Sequence, residues 1–104
     1  MSRYWISCSI AVTTLLAGTA AFGANAANGL QIAQRWCAAC HLVAPGQRTA
    51  SDQVPTFAQI ARIPNFDASK IALFLLDPHP KMPDMSLTRD EAADLAAYIA
   101  ALKD

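Results

Sequence analysis

The chain has 104 residues, 54% of them hydrophobic, and eight basic side chains balance eight acidic ones. That length calls for one domain, and so even a balance speaks against the basic face that nucleic-acid binding requires. Three cysteines and two histidines limit the metal-ligand sets the chain can build.

Residues 1–26 read as a secretory signal. Arg3 supplies a short positive start, and Ile6 to Phe22 is uncharged and rich in Ile, Val, Leu, Ala, Thr and Ser. Ala24-Asn25-Ala26 puts small residues at the two positions a signal peptidase reads, so cleavage is expected after Ala26. The rival is an uncleaved membrane anchor, but 17 residues diluted by Ser, Thr and Gly fall short of the ~20 a spanning helix needs. Cysteine usage agrees with export. Cys8 would leave with the signal, so residues 27–104 keep only Cys37 and Cys40 and carry no stray thiol into an oxidising compartment. These 78 residues hold seven basic and eight acidic side chains. A domain this small commonly needs a disulfide, a metal or a cofactor to complete its core.

The first expected helix starts at an Asn28 cap, passes Gly29 and runs through Cys40, with Ile32, Ala33 and Trp36 on one side. It ends in Cys37-Ala38-Ala39-Cys40-His41, a C-x-x-C-H string that is the attachment site for a c-type haem. Each sulfur can form a thioether to the porphyrin, and His41 follows where its imidazole can reach the iron. A two-residue gap suits one helical turn, which sets both sulfurs along one edge of a flat ring. Rival readings fare worse. A structural zinc site needs four protein ligands, and past His41 there is no further cysteine and one other histidine, His79. A thioredoxin-like pair would want strand–helix alternation, and no strand pattern is visible.

Val43 to Val54, with Pro45-Gly46 and a polar run, reads as a loop. Pro55 to Ala61 predicts a short helix with Phe57 and Ile60 inward. Asn65 or Asp67 can cap a third helix from Ala68 to Leu76, where Ile71, Phe74 and Leu75 form the apolar stripe; Asp77-Pro78 ends it. Pro78 to Met85 is a proline-stiffened loop with three side chains able to ligate iron: His79, Met82 and Met85. Thr88-Arg89-Asp90-Glu91 is a capping box, and Leu95, Tyr98, Ile99 and Leu102 then repeat at helical spacing. The fold class is all-α.

The order of these pieces resembles a small bacterial class I cytochrome c over nearly all of residues 27–104. The resemblance rests on Gly29 before Cys37-Ala38-Ala39-Cys40-His41, then Val54-Pro55-Thr56-Phe57, Lys81-Met82-Pro83, and Leu87 to Glu91 running into Asp94 to Ile99. It implies a cytochrome c fold of three to five short helices wrapped around one covalently bound haem, with Cys37 and Cys40 as thioethers and His41 as an iron ligand. It also implies Met82 as the axial methionine, Met85 as an apolar neighbour and alternative sixth ligand, and Pro55 as the carbonyl that hydrogen-bonds the proximal histidine. Gly29 and Tyr98 would meet where the first and last helices cross. Ala33 departs from the aromatic found in mitochondrial-type members, which implies a looser or rearranged helix contact.

The function so implied is a periplasmic one-electron carrier with His/Met ligation, not an enzyme, since no Ser/His/Asp set or carboxylate pair shares a motif. Expected partners are redox proteins, with Lys81 a candidate docking charge. Nucleic acid and stable membrane insertion are not expected; a monomer or a subunit of a redox complex is. Two alternatives stand beside this reading: the cytochrome subunit of a periplasmic oxidoreductase complex, and a haem-based small-ligand binder or sensor should no methionine reach the iron.

Overall fold

A computed structural model describes residues 11–12, 23–77 and 81–103. Four helices follow one another: α1 (Ala26–Trp36), α2 (Phe57–Ala61), α3 (Ala68–Leu76) and α4 (Arg89–Ala101), and no strand occurs among the described residues. Cys8, His79 and most of the expected signal lie outside them.

Local chemistry explains where each helix starts. Thr56 and Thr88 each accept from the backbone three residues on while Gln59 and Glu91 reach back, so α2 and α4 both open on complete capping boxes. Asp67 accepts from Ser69 and Lys70 at the start of α3, where Asn65 instead takes a φ of 60° in the preceding turn. The first helix differs from expectation at both ends. Its cap is Asn25, whose side chain accepts from the Asn28 backbone, and its last residue is Trp36, with Cys37 as the C-cap. Asn28 lies inside the helix because its amide has a better partner, the Asp94 carboxylate at 2.9 Å. Asp94 also accepts from the Asn25 backbone at 2.7 Å, which ties the start of α1 to the middle of α4.

Helix α4 is the element against which the others pack, most extensively α1, then α3 and α2. The α1–α4 crossing is close. A Cβ on Gly29 would collide with the Asp94 carbonyl and come within 2.8 Å of the Tyr98 Cβ, so only glycine lets the two backbones approach this far. Ala33 is fully buried beside this crossing, and the small side chain goes with tight contact rather than with the looser one implied by its departure from the aromatic. Leu95, Ile99 and Val43 are the largest fully buried side chains, joined by Phe57, Ala61, Leu75 and Met85. Of the expected stripe on α3, Leu75 is buried while Phe74 stays 43% exposed; Ile60 on α2 is half-buried. Among the described residues no helix is long and apolar enough to cross a membrane.

Candidate functional site

The turn that leaves α1 carries the chemistry. Cys37 N–H still donates to Ala33 at 2.8 Å, after which Cys40 and His41 both donate to the Cys37 carbonyl, at 3.1 and 2.9 Å. One hydrogen-bonded turn thus follows the helix, and it sets Cys37 and Cys40 along one wall of a cavity. The two form no disulfide with each other; Cys37 is buried and Cys40 exposed. Burial pushes the Cys37 thiol up to about 11, because a thiolate there would lose its hydration.

The His41 ring is held from the far side. Its Nδ1 lies 2.7 Å from the Pro55 carbonyl oxygen. A carbonyl only accepts, so Nδ1 carries the proton, which leaves Nε2 as the ring nitrogen able to offer a lone pair. Pro55 is itself fixed. Phe57 N–H donates to Leu42 at 3.0 Å and Thr56 N–H to Gln59 at 2.8 Å, so the strip before α2 is stitched to the residue after His41. The Phe57 ring lies 5.4 Å from the imidazole, and Tyr98 stands 6.4 Å beyond Phe57.

The polar loop that follows is organised by one side chain that the sequence reading left inside a loop, Gln47. Its Oε1 accepts from Val43 N–H at 2.9 Å. Its Nε2 donates to the carbonyls of Ala38, His41 and Thr49, at 3.0, 2.7 and 3.0 Å. The readable signal was Pro45-Gly46: Gly46 takes a φ of +84°, the left-handed second corner of a turn that folds the next residue back.

Two adjoining hollows, of about 340 and 110 Å³, share Cys37, His41, Ile60, Phe74 and Met82. The larger also reaches Cys40, Pro55, Lys81 and Met85, the smaller Phe57, Leu75 and Ile99. Met82 is half-buried and borders both hollows; Met85, 8% exposed, is part of the core and borders one. Trp36 is 45% exposed at the rim. A larger space of about 580 Å³ between α3 and α4 is lined mainly by alanine and leucine with Arg89, and among the described residues no sulfur or imidazole lines it. The slot beside His41 therefore suits a flat apolar group with a metal centre: two thiols on one wall, an imidazole oriented for donation, and thioethers on the loop that closes it. Among the described residues no three His, Cys, Asp or Glu side chains gather as a bare metal site.

Known proteins agree with this arrangement. The Cytochrome c family model matches residues 26–103. A cytochrome c-552 of Bradyrhizobium diazoefficiens is 55% identical over 85 residues, which cover 82% of this chain and 82% of that protein. No solved structure matches the chain. With an all-helical fold closed around the C-x-x-C-H turn and a family match across almost the whole described domain, the chain belongs to the cytochrome c family, as a small class I c-type cytochrome that carries haem c covalently and serves electron transfer.

Proposed function

We propose that this cytochrome is a periplasmic one-electron carrier in which Cys37 and Cys40 form the two thioethers and His41 and Met82 are the axial ligands. The observation that carries the reading is that His41, Met82 and Cys37 all border the same two hollows. When bound, the haem supplies an iron that cycles between ferrous and ferric. The chain's own residues hold the surroundings constant through that cycle. The Pro55 carbonyl keeps the proton on Nδ1 and fixes the ring. Phe57, Leu75 and Ile99 exclude water from the inner end. A thioether in the sixth position blocks small ligands and raises the potential, as an electron carrier needs. The match to the Cytochrome c family and to a cytochrome c-552 supports a carrier with redox-protein partners rather than an enzyme.

The ligand assignment is tested by paired substitutions. Met82→Ala should abolish the methionine charge-transfer band of the ferric protein, lower the potential and open iron to cyanide or carbon monoxide. Met85→Ala should keep the band and cost stability, about 2–5 kcal/mol for truncating a buried methionine. Loss of the band in the Met85 variant with retention in the Met82 variant reverses the assignment.

Export is tested by mass. The protein isolated from the periplasm should start near Ala27 and carry one haem. A cut after Ala26 removes the Asn25 cap and its Asp94 contact but leaves Asn28 bonded to Asp94. Membrane-bound protein retaining Met1 would instead favour the anchor.

A further inference from the structure

The amide of Gln47 makes four hydrogen bonds near the site. It has one acceptor and two N–H donors, yet it meets one amide and three carbonyls, so one N–H is shared between two of those oxygens. Two of the carbonyls belong to the attachment turn itself: Ala38 follows Cys37, and His41 carries the imidazole. The Pro55 carbonyl holds the same histidine by its ring. Backbone and ring are therefore gripped separately, and a change at either grip turns the imidazole about its side-chain bonds.

The Gln47 grip also reaches the helix crossing. Val43 is 2% exposed; its N–H goes to Gln47, and its carbonyl accepts from the Tyr98 hydroxyl of α4 at 2.5 Å. Tyr98 is the residue packed against Gly29. A continuous polar path thus runs from the α1–α4 contact through Val43 and Gln47 to the His41 carbonyl.

We propose that Gln47 is a positioning residue for the axial histidine, setting the orientation of the His41 ring through the His41 and Ala38 carbonyls. The proposal rests on His41 being an iron ligand. Only a neutral amide of this length suits the site. Glutamate keeps the acceptor for Val43 but sets a negative oxygen against three carbonyls, and leucine keeps the volume while losing all four contacts.

The test compares native, Gln47→Glu and Gln47→Leu holoproteins by NMR and by reduction potential. In the ferric native protein the His41 ring resonances should be strongly shifted by the paramagnetic iron. Both variants should move those resonances and the potential. Val43 amide exchange should quicken in Gln47→Leu by roughly tenfold, the loss of one hydrogen bond, and stay near native in Gln47→Glu. Movement of the His41 signals in Gln47→Glu with Val43 still protected assigns the effect to the donors on Ala38 and His41. Unmoved His41 signals and potential in both variants overturn the proposal, whereas the absence of any paramagnetic shift on His41 in the native protein overturns the ligand assignment beneath it. If neither variant yields folded holoprotein, exchange of the side-chain amides in the native protein decides. Gln47 N–H should exchange roughly tenfold or more slowly than that of exposed Gln34, and equal rates overturn the proposal.

Discussion

Replacing both Cys37 and Cys40 by alanine should abolish covalent pigment and leave the chain largely unfolded. The magnitude follows from size. A core in a domain of about 80 residues rarely supplies more than ~3–5 kcal/mol by itself, and residues 27–104 contain no cysteine beyond these two to form a disulfide elsewhere. Phe74, Ile60 and Met82 line hollows between α2, α3 and the methionine loop, so much of the apolar surface on these elements is completed only by the group they enclose. Each single substitution should leave one thioether and a reduced yield. The measurement is haem retained through acid extraction, together with far-ultraviolet circular dichroism of the purified chain. Full yield of a folded, haem-free double variant would contradict the assignment of Cys37 and Cys40 to attachment.

Gly29→Ala should lower the denaturant midpoint of the holoprotein, although alanine is the better helix former. Removing an exposed helical glycine gains about 1 kcal/mol. Here the added methyl meets the backbone carbonyl of Asp94 and the Cβ of Tyr98, and neither is the far end of a flexible side chain. Overpacking costs about 1–3 kcal/mol where side chains absorb it, and more where they cannot; with main chain in the way the upper part of that range applies. A net loss of about 2 kcal/mol or more is expected, against a total of only ~5–15 kcal/mol for a typical domain. Gly29→Val should be worse. The α1–α4 crossing buries Ala33, Leu95 and Ile99, and spreading it also strains the Asn28–Asp94 hydrogen bond. A midpoint that rises in Gly29→Ala, with an unchanged denaturant slope, would show that propensity outweighs the contact.

The sequence by itself determined the features whose physics is local. The spacing of Cys37 and Cys40 with His41 next in line reads as an attachment turn because two thioethers to one ring edge would need sulfurs this close along the chain, and neighbouring backbone sets that reach. Thr88 with Glu91 marks a helix start because the capped amides lie within three residues of the cap, whereas Asn65 and Asp67 both offer a cap for α3 and the fold selects Asp67. Only the tertiary structure decided what depends on partners far along the chain. Asn25 rather than Asn28 caps α1 because Asp94, more than sixty residues away, competes for the Asn28 amide. The first helix stops at Trp36 rather than Cys40; helical periodicity continues past Trp36 and gives no mark of that stop. In sequence only family resemblance ranks Met82 and Met85, through Pro83 after Met82; the fold adds that Met85 sinks into the core while Met82 borders both hollows beside His41. Gln47 looked like loop polarity because its four partners are backbone groups, which carry no side-chain signature. They become a site only when the turn at Gly46 folds the chain back over the residue that holds the imidazole.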